Sequence, residues 1–207
     1  MGINTARHRS IINPVAYDHP IHIIGAGATG SRLFASLVEL GFDDISVYDD
    51  DVVESHNLAN QVFNNADIDS LKVDSLKAWV EGKLGEGLKS GRYIHERLPH
   101  TDVHLEGTVF LLTDTMTSRK EIYDGCLQNN PAVERVFETR MASSYGNIYS
   151  FNPMETGEQW LKTLINDDEA EVSTCGSSIS VGATASVIAN LCVWQFMLSL
   201  TDPEAAD

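Results

Sequence analysis

Gly25, Gly27 and Gly30 fall in the run Gly-Ala-Gly-Ala-Thr-Gly, a GxGxxG spacing that can hold a phosphate against main-chain N–H groups. The first glycine permits a tight turn, the second admits a ligand phosphate to the backbone, and the third lets the following helix pack against the strand before it. The helix N-terminus then offers unpaired N–H groups to the anion. No Lys-Ser or Lys-Thr follows, so the run is not a Walker A loop. Further on, Asp49 ends the next apolar run, and an acid there can accept hydrogen bonds from ribose hydroxyls. Nicotinamide enzymes and adenosine-binding proteins both use this pair of features, so the glycine loop and Asp49 alone leave the two open.

Such residues need a strand, a loop, a helix and a second strand in that order. Ile21-His22-Ile23-Ile24 reads as a short buried strand, 31–40 as a helix closed by Gly41 in a position that suits a left-handed cap, and 44–48 as the next strand. This βαβ unit demands parallel strands. A polar loop over 49–65 precedes an amphipathic helix over 70–84, with Leu71, Val73, Leu76, Ala78, Trp79 and Val80 apolar and lysines opposite. Strands near 93–98, 109–112, 133–138 and 148–151, a helix over 119–128 and a short helix over 157–164 continue the alternation. The expected fold is α/β: a Rossmann-like sheet, parallel in its first half and flanked by helices, in a single domain over 1–207. Residues 1–20 form an N-terminal arm, 166–178 an acidic crossing loop and 179–200 a C-terminal apolar helix.

The 207 residues include 30 acidic and 14 basic ones, a formal charge of −16. That field repels nucleic acid and anionic membranes, and neither is an expected partner. Lys162 is the last basic residue, and Asp167, Asp168, Glu169, Glu171, Asp202, Glu204 and Asp207 follow it, so an anionic ligand binds nearer the front. Cys126, Cys175 and Cys192 make no disulfide framework and show no CxxC spacing, which fits a reducing compartment. No apolar h-region follows the first ten residues, and the expected location is the cytoplasm. Residues 179–200 carry no formal charge, but Ser180, Thr184, Ser186, Asn190, Gln195 and Ser199 make the stretch polar for a lipid-facing span. A helix buried in the protein or in a dimer interface explains it, with no water-facing stripe. His95, His100 and His104 share no face that would hold a metal, Cys126 and Cys192 read as core residues, and Trp160 could cap a partner's tail.

The residues from 49 to 61, Asp-Asp-Asp-Val-Val-Glu-Ser-His-Asn-Leu-Ala-Asn-Gln, resemble the D-x-D-x-V-E-x-S-N-L-x-R-Q segment of the ThiF/MoeB/HesA superfamily, bacterial relatives of ubiquitin-activating enzymes. With the glycine loop before it and Lys72 after it, the resemblance runs from about residue 21 to 76. Residues 111–119, Leu-Leu-Thr-Asp-Thr-Met-Thr-Ser-Arg, are similar to the family's T-D-N-x-x-x-R stretch, and 172–200 to its late cysteine followed by a Gly-rich apolar helix.

The resemblance implies transfer of AMP from ATP to the C-terminal carboxylate of a small ubiquitin-like protein or peptide, with ATP and magnesium as cofactors and a homodimer as the working form. By position, Gly25, Gly27, Gly30 and Asp49 would hold the nucleoside, with Asp51 beside them. Asn57 and Gln61 would line the triphosphate channel, Lys72 would contact phosphates and Asp114 would ligate magnesium. Arg119 would anchor the Asp114 loop. Cys175 occupies the place of a cysteine that forms a thioester in several members. The family's arginine before the glutamine is Asn60 here; Arg9 or Arg7, from an N-terminal segment that reaches a partner's nucleotide in similar members, would supply the missing charge. A protein of the same fold that binds nucleotide as an adaptor and activates nothing is the alternative. The four-cysteine zinc site of many relatives is missing.

Overall fold

The computed structural model describes residues 3–100, 102–169 and 180–202. Five parallel strands, β1 (Ile21–Ile24), β2 (Ile45–Tyr48), β3 (Arg92–Ile94), β4 (Gly107–Leu111) and β5 (Val133–Met141), are joined by an antiparallel edge strand, β6 (Gly146–Phe151). Their order is β3-β2-β1-β4-β5-β6. All residues of β1, β2 and β4 are buried, as strands covered on both faces must be. The chain leaves β1 toward β2 and β3, then returns to place β4 on the other side of β1. A crevice therefore opens at the strand C-termini between β1 and β4, where open parallel sheets bind ligands.

Alternation along the strands divides the core. Ile21, Ile23, Ile45, Val47, Phe110 and Phe137 face one layer, in which α1 (Ala28–Leu40), α2 (Lys72–Leu84) and α5 (Gly182–Thr201) bury Phe34, Leu37, Leu76 and Phe196. Ile24, Val109, Leu111 and Val136 face the other, against α3 (Met116–Ile122), a π-turn over Tyr123–Leu127, and α4 (Gly157–Leu161) with its Trp160. The fold is a single-domain α/β structure with a mostly parallel six-stranded sheet.

Several boundaries differ from the sequence reading for local reasons. α1 starts at Ala28, inside the glycine motif, and Gly41 caps it at φ 100°. β3 stops at Ile94 because β2, its neighbour in the sheet, ends at Tyr48. α3 begins at Met116, where the Thr115 hydroxyl accepts a hydrogen bond from Ser118 N at 3.1 Å. β4 starts at Gly107, whose φ of 65° lets the backbone pass Pro20 where a Cβ would lie 2.5 Å from a carbonyl oxygen. The terminal helix is not buried all round: Ala185, Ile188, Ala189, Cys192, Val193 and Phe196 pack inward, while Val187, Leu191 and Trp194 face outward. By length and composition α5 is long and apolar enough to cross a membrane. Trp160, read as a cap for a partner's tail, is instead buried, its indole N–H donating to Glu138 Oε2 at 3.2 Å.

Candidate nucleotide-binding site

At the end of β1 the chain turns at Gly25, φ 100°, whose N–H donates to the Tyr48 carbonyl at 2.8 Å. A Cβ at Gly25 would meet the Leu112 carbonyl oxygen at 2.8 Å, and one at Gly30 would overlap the Gly25 carbonyl oxygen at 1.9 Å. Both glycines serve close packing of loop, strand and helix. Gly27 differs, because nothing lies within 4 Å of its Cβ position. That side of the loop faces a cleft of about 380 Å³ and is free for a ligand to approach.

Asp49, at the C-terminus of β2, closes onto this loop. Its Oδ2 accepts from Ala26 N at 2.6 Å and its Oδ1 from Asp51 N at 3.0 Å. Burial raises its pKa from the ordinary value, against the opposing pull of Lys72 and the two backbone donors. Lys72 enters at the first turn of α2, where Val52 and Leu71 form a short antiparallel bridge and Lys72 N donates to Asp51 O at 3.0 Å. Its side chain is 7% exposed, with Nζ 2.6 Å from Asp51 Oδ2 and 3.9 Å from Asp49 Oδ1. The amphipathic reading of α2 placed lysines on the water side; Lys72 is the exception, buried against the two carboxylates.

The opposite wall is the segment from Asn57 to Gln61. Asn57 is buried, and its Oδ1 accepts from Glu54 N at 2.9 Å. Asn60 donates through Nδ2 to the Ser180 carbonyl at 3.3 Å. Three buried polar atoms beside this wall lack a hydrogen-bond partner among the described residues: Asn60 Oδ1, Gln61 Oε1 and Ser180 Oγ. Buried polar groups are rarely left so, and a hydrogen-bond donor or a cation in the cleft would satisfy the two amide oxygens. α5 begins tightly against the same segment, since a Cβ on Gly182 would lie 2.7 Å from the Ala59 carbonyl oxygen.

Asp114 lies on the third side, exposed to the cleft between β4 and α3. Its loop is pinned from behind. Arg119 donates through NH2 to the carbonyls of Thr113 at 2.5 Å and Thr139 at 3.0 Å, and Nε pairs with Glu138 Oε1 at 3.2 Å. Arg119 is buried away from the cleft opening, and its anchoring position matches the sequence expectation. From beyond α4, Asp167 accepts from Met116 N at 2.5 Å, Thr117 N at 3.1 Å and the Thr117 hydroxyl at 2.5 Å. These donors lower the Asp167 pKa from its ordinary value, the Thr117 hydroxyl most of all.

Gly25, Gly27, Asp49, Asp51, Asn57, Gln61, Lys72 and Asp114 thus line one cleft, and Gly30 stands behind it at the packing position. Arg9 does not join them. The N-terminal arm docks at the far end of α1, where His8 Nε2 meets Leu40 O at 3.0 Å and Thr5 covers Gly41. About 20 Å of helix separates that end from the glycine loop. Cys175 lies outside the described residues. Among the described residues no cluster of His, Cys, Asp and Glu is poised for a metal, and His100 pairs with Glu96 at 2.7 Å. The sequence reading gave no cleft role to Tyr48, His56, Glu96, Arg97, Leu98 and Ser180, which also line it. Their position at or just beyond parallel-strand C-termini is the signal that marks Tyr48 and the segment from Glu96 to Leu98.

A protein-family model described as the ThiF family matches residues 18–206. Selenomethionine PaaA is similar at TM-score 0.65 and 16% identity, over 89% of this chain and 56% of that one. E. coli MccB solved with succinimide is similar at TM-score 0.67 and 17% identity, over 87% and 55% of the two chains. MccB solved with ATP gives 0.63 and 16%, over 91% and 58%. The chain therefore spans little more than half the length of these proteins, and at such identities the likeness is one of fold. No curated protein matches it. The matched range takes in the strand before the glycine loop, Asp49, Lys72, Asp114 and the terminal helix, so the chain belongs to the ThiF family.

Proposed function

We propose that this protein is an ATP-dependent adenylyltransferase that activates a C-terminal carboxylate of a peptide or small ubiquitin-like protein as an acyl-adenylate. The observation that carries this reading is the convergence of the open side of Gly27, Asp49, Lys72, the unpartnered Asn60–Gln61 wall and Asp114 on one cleft. Membership of the ThiF family supports it, as does likeness to MccB, which has been solved with ATP and with MccA.

In this reading Asp49 orients the ribose while the α1 N-terminus receives phosphate oxygens. The acceptor carboxylate oxygen attacks the α-phosphorus, the bond from that phosphorus to the bridging oxygen breaks, and pyrophosphate leaves with the electron pair. Lys72 stabilises negative charge on the phosphates, which requires it to exchange Asp51 for the ligand. Placement and electrostatics carry most of such a reaction. Asp49, Asp50, Asp51, Glu96 and Asp114 line the cleft, against Lys72 and Arg97. A tetravalent anion enters that acidic field most readily together with a hard divalent cation. Asp114, an exposed carboxylate, and the carbonyl oxygens of Asn60 and Gln61 are suitable hard donors for magnesium, which commonly takes one or two protein carboxylates and completes its shell with phosphates and water. Magnesium would supply neutralisation of triphosphate charge.

A following step would pass the acyl group to the Cys175 thiolate, forming a thioester and releasing AMP. Arg9, remote from its own chain's cleft, would serve only the cleft of a second copy, in a homodimer formed through α5. The protein would act in the cytoplasm, without nucleic acid or membrane as partner.

Pyrophosphate exchange into ATP, with candidate acceptor peptides and ubiquitin-like proteins, tests the activity. Exchange by wild type that falls to background in Asp114→Ala is expected; equal rates in both overturn the catalytic assignment. Asn60, neutral where the family has arginine, favours the second reading, an adaptor of the same fold. Tight ATP binding without AMP transfer to any acceptor selects the adaptor, and NAD binding in preference to ATP would overturn both.

A further inference from the structure

Arg32 sits at the start of the second turn of α1, the helix whose N-terminus opens on the cleft. Long side chains on a helix lean back toward its N-terminus, and the Arg32 guanidinium sits behind the Asn60 segment, outside the residues that line the cleft as it stands. It is half-buried, and its Nε donates to the Asn60 carbonyl at 3.0 Å. Its neighbour Ser31 holds the same segment, its hydroxyl accepting from Val62 N at 3.4 Å. Two consecutive residues of α1 therefore clasp the loop that forms the Asn60–Gln61 wall. The two terminal nitrogens of Arg32 have no partner among the described residues.

The charges around the cleft make that guanidinium significant. Lys72 is held by Asp51, and Arg97 enters the cleft three residues after β3, whose Ile94 carbonyl accepts from Asp49 N at 3.2 Å. From Asn57 to Gln61 the side chains that reach the cleft are uncharged amides, and among the described residues Asn60 Oδ1, Gln61 Oε1 and the nearby Ser180 Oγ are buried and unpartnered. A cation with unused donors lies one hydrogen bond behind them.

We propose that Arg32 is a phosphate-binding residue, its guanidinium supplying from α1 the positive charge that the Asn60–Gln61 wall lacks toward the terminal phosphates of a nucleoside triphosphate. This rests on the nucleotide reading above. It makes Arg32 a discriminator of triphosphate from monophosphate, because an AMP phosphate at the glycine loop ends short of that wall. A charge-assisted hydrogen bond to phosphate corresponds to a loss of about 10-fold or more in affinity when removed.

Calorimetric titration of the full chain with magnesium and either ATP or AMP tests it. Arg32→Gln should weaken ATP about 10-fold or more and AMP less than about 3-fold. Arg32→Lys, which keeps the charge but loses the planar fork, should retain most of the preference for ATP. Asn60→Arg in the Arg32→Gln background should restore ATP affinity by returning a guanidinium to the same wall. Equal losses for ATP and AMP would mean that Arg32 only clamps the loop, and would overturn the proposal, as would an unchanged ATP affinity. Those results leave nucleotide binding itself standing, whereas a wild-type protein that binds neither ATP nor AMP removes both.

Discussion

Arg119 Nε lies 3.2 Å from Glu138 Oε1, inside the protein and behind the loop that carries Asp114. Glu138 is fully buried and also receives Arg140 Nε at 3.0 Å and the Trp160 indole N–H. Arg140 in turn donates to the Thr163 carbonyl at 2.5 Å and hydroxyl at 2.8 Å. One carboxylate therefore joins β5, α3 and the end of α4, and fixes the carbonyl of the residue preceding Asp114 through Arg119. Glu138→Gln leaves two guanidinium groups sharing a neutral amide. Breaking a buried pair from one side costs about 3–5 kcal/mol, a large part of a domain's stability. Guanidinium denaturation should show that loss, and pyrophosphate exchange should fall even at temperatures where the variant stays folded, because Asp114 loses its support.

Lys72 couples the site to its acidity. Asp49 is held above its ordinary pKa by burial, and Lys72 is the largest influence opposing that rise. Lys72→Met should therefore push the Asp49 carboxyl still higher, visible by carbon NMR titration of the side chain. For a group whose folded pKa is raised, ionisation disfavours the folded state, so this variant should lose stability more steeply than wild type as pH rises through the Asp49 titration. Adenylate formation should fall by about 10²-fold or more, the scale seen when a preorganised charge-stabilising donor is removed.

The two sets of residues differ in how they could be read from sequence. The glycine loop and Asp49 form a local pattern whose meaning is set by one βαβ unit, and the structure places them as that pattern requires. Lys72 and Asp114 are distant in sequence from the loop, but each lies where the chain leaves or enters an element at the same end of the sheet. The Glu138 cluster is legible only at one end: Arg119 belongs to the stretch that carries Asp114, whereas Glu138 and Arg140 look like ordinary strand positions, and Trp160 like an exposed aromatic, until β5, α3 and α4 are packed together. Arg32 is hidden for the same reason, because its role depends on a contact with residue 60. The terminal helix shows a different limit. Apolar residues all round a helix say that it needs cover without saying on which side the chain itself supplies it.

His22, one contact behind the cleft residue Tyr48, gives a pH dependence of stability. Its ring is buried in β1, Nδ1 lies 3.2 Å from Tyr48 Oη, and Nε2 accepts from Glu106 N at 3.4 Å. A proton on Nε2 would face that N–H donor, and burial together with repulsion from Arg92 pushes the imidazole pKa down to about 4 from 6.5. The unfolded chain then takes up a proton before the folded one does, so stability falls as pH drops from 6.5 toward 4. The full difference is about 3 kcal/mol. Denaturation midpoints measured at several pH values should show this slope in wild type, and His22→Gln, which cannot titrate, should flatten it.

The last prediction concerns the outward side of α5. Val187, Leu191 and Trp194 are 57%, 41% and 57% exposed, and their spacing aligns them in one stripe along the helix. Asn190, tied to Ser36 Oγ at 3.0 Å, borders the stripe beside α1. An exposed apolar stripe on a helix whose other side already packs on α1 and the sheet favours self-association, and the proposed homodimer places two such stripes together. Trp194 is the largest contributor, since an aromatic side chain can cover about 150–250 Å². Wild type should sediment as a dimer at micromolar concentration, and Trp194→Glu as a monomer. Because Trp194 touches solvent rather than core, the monomeric variant should keep its secondary structure and unfold cooperatively. If Arg9 serves a neighbouring cleft, Trp194→Glu and Arg9→Gln should lower pyrophosphate exchange to the same extent, and the double variant should be no worse than either alone. A wild-type protein that stays monomeric across that concentration range would remove both the interface and the role given to Arg9.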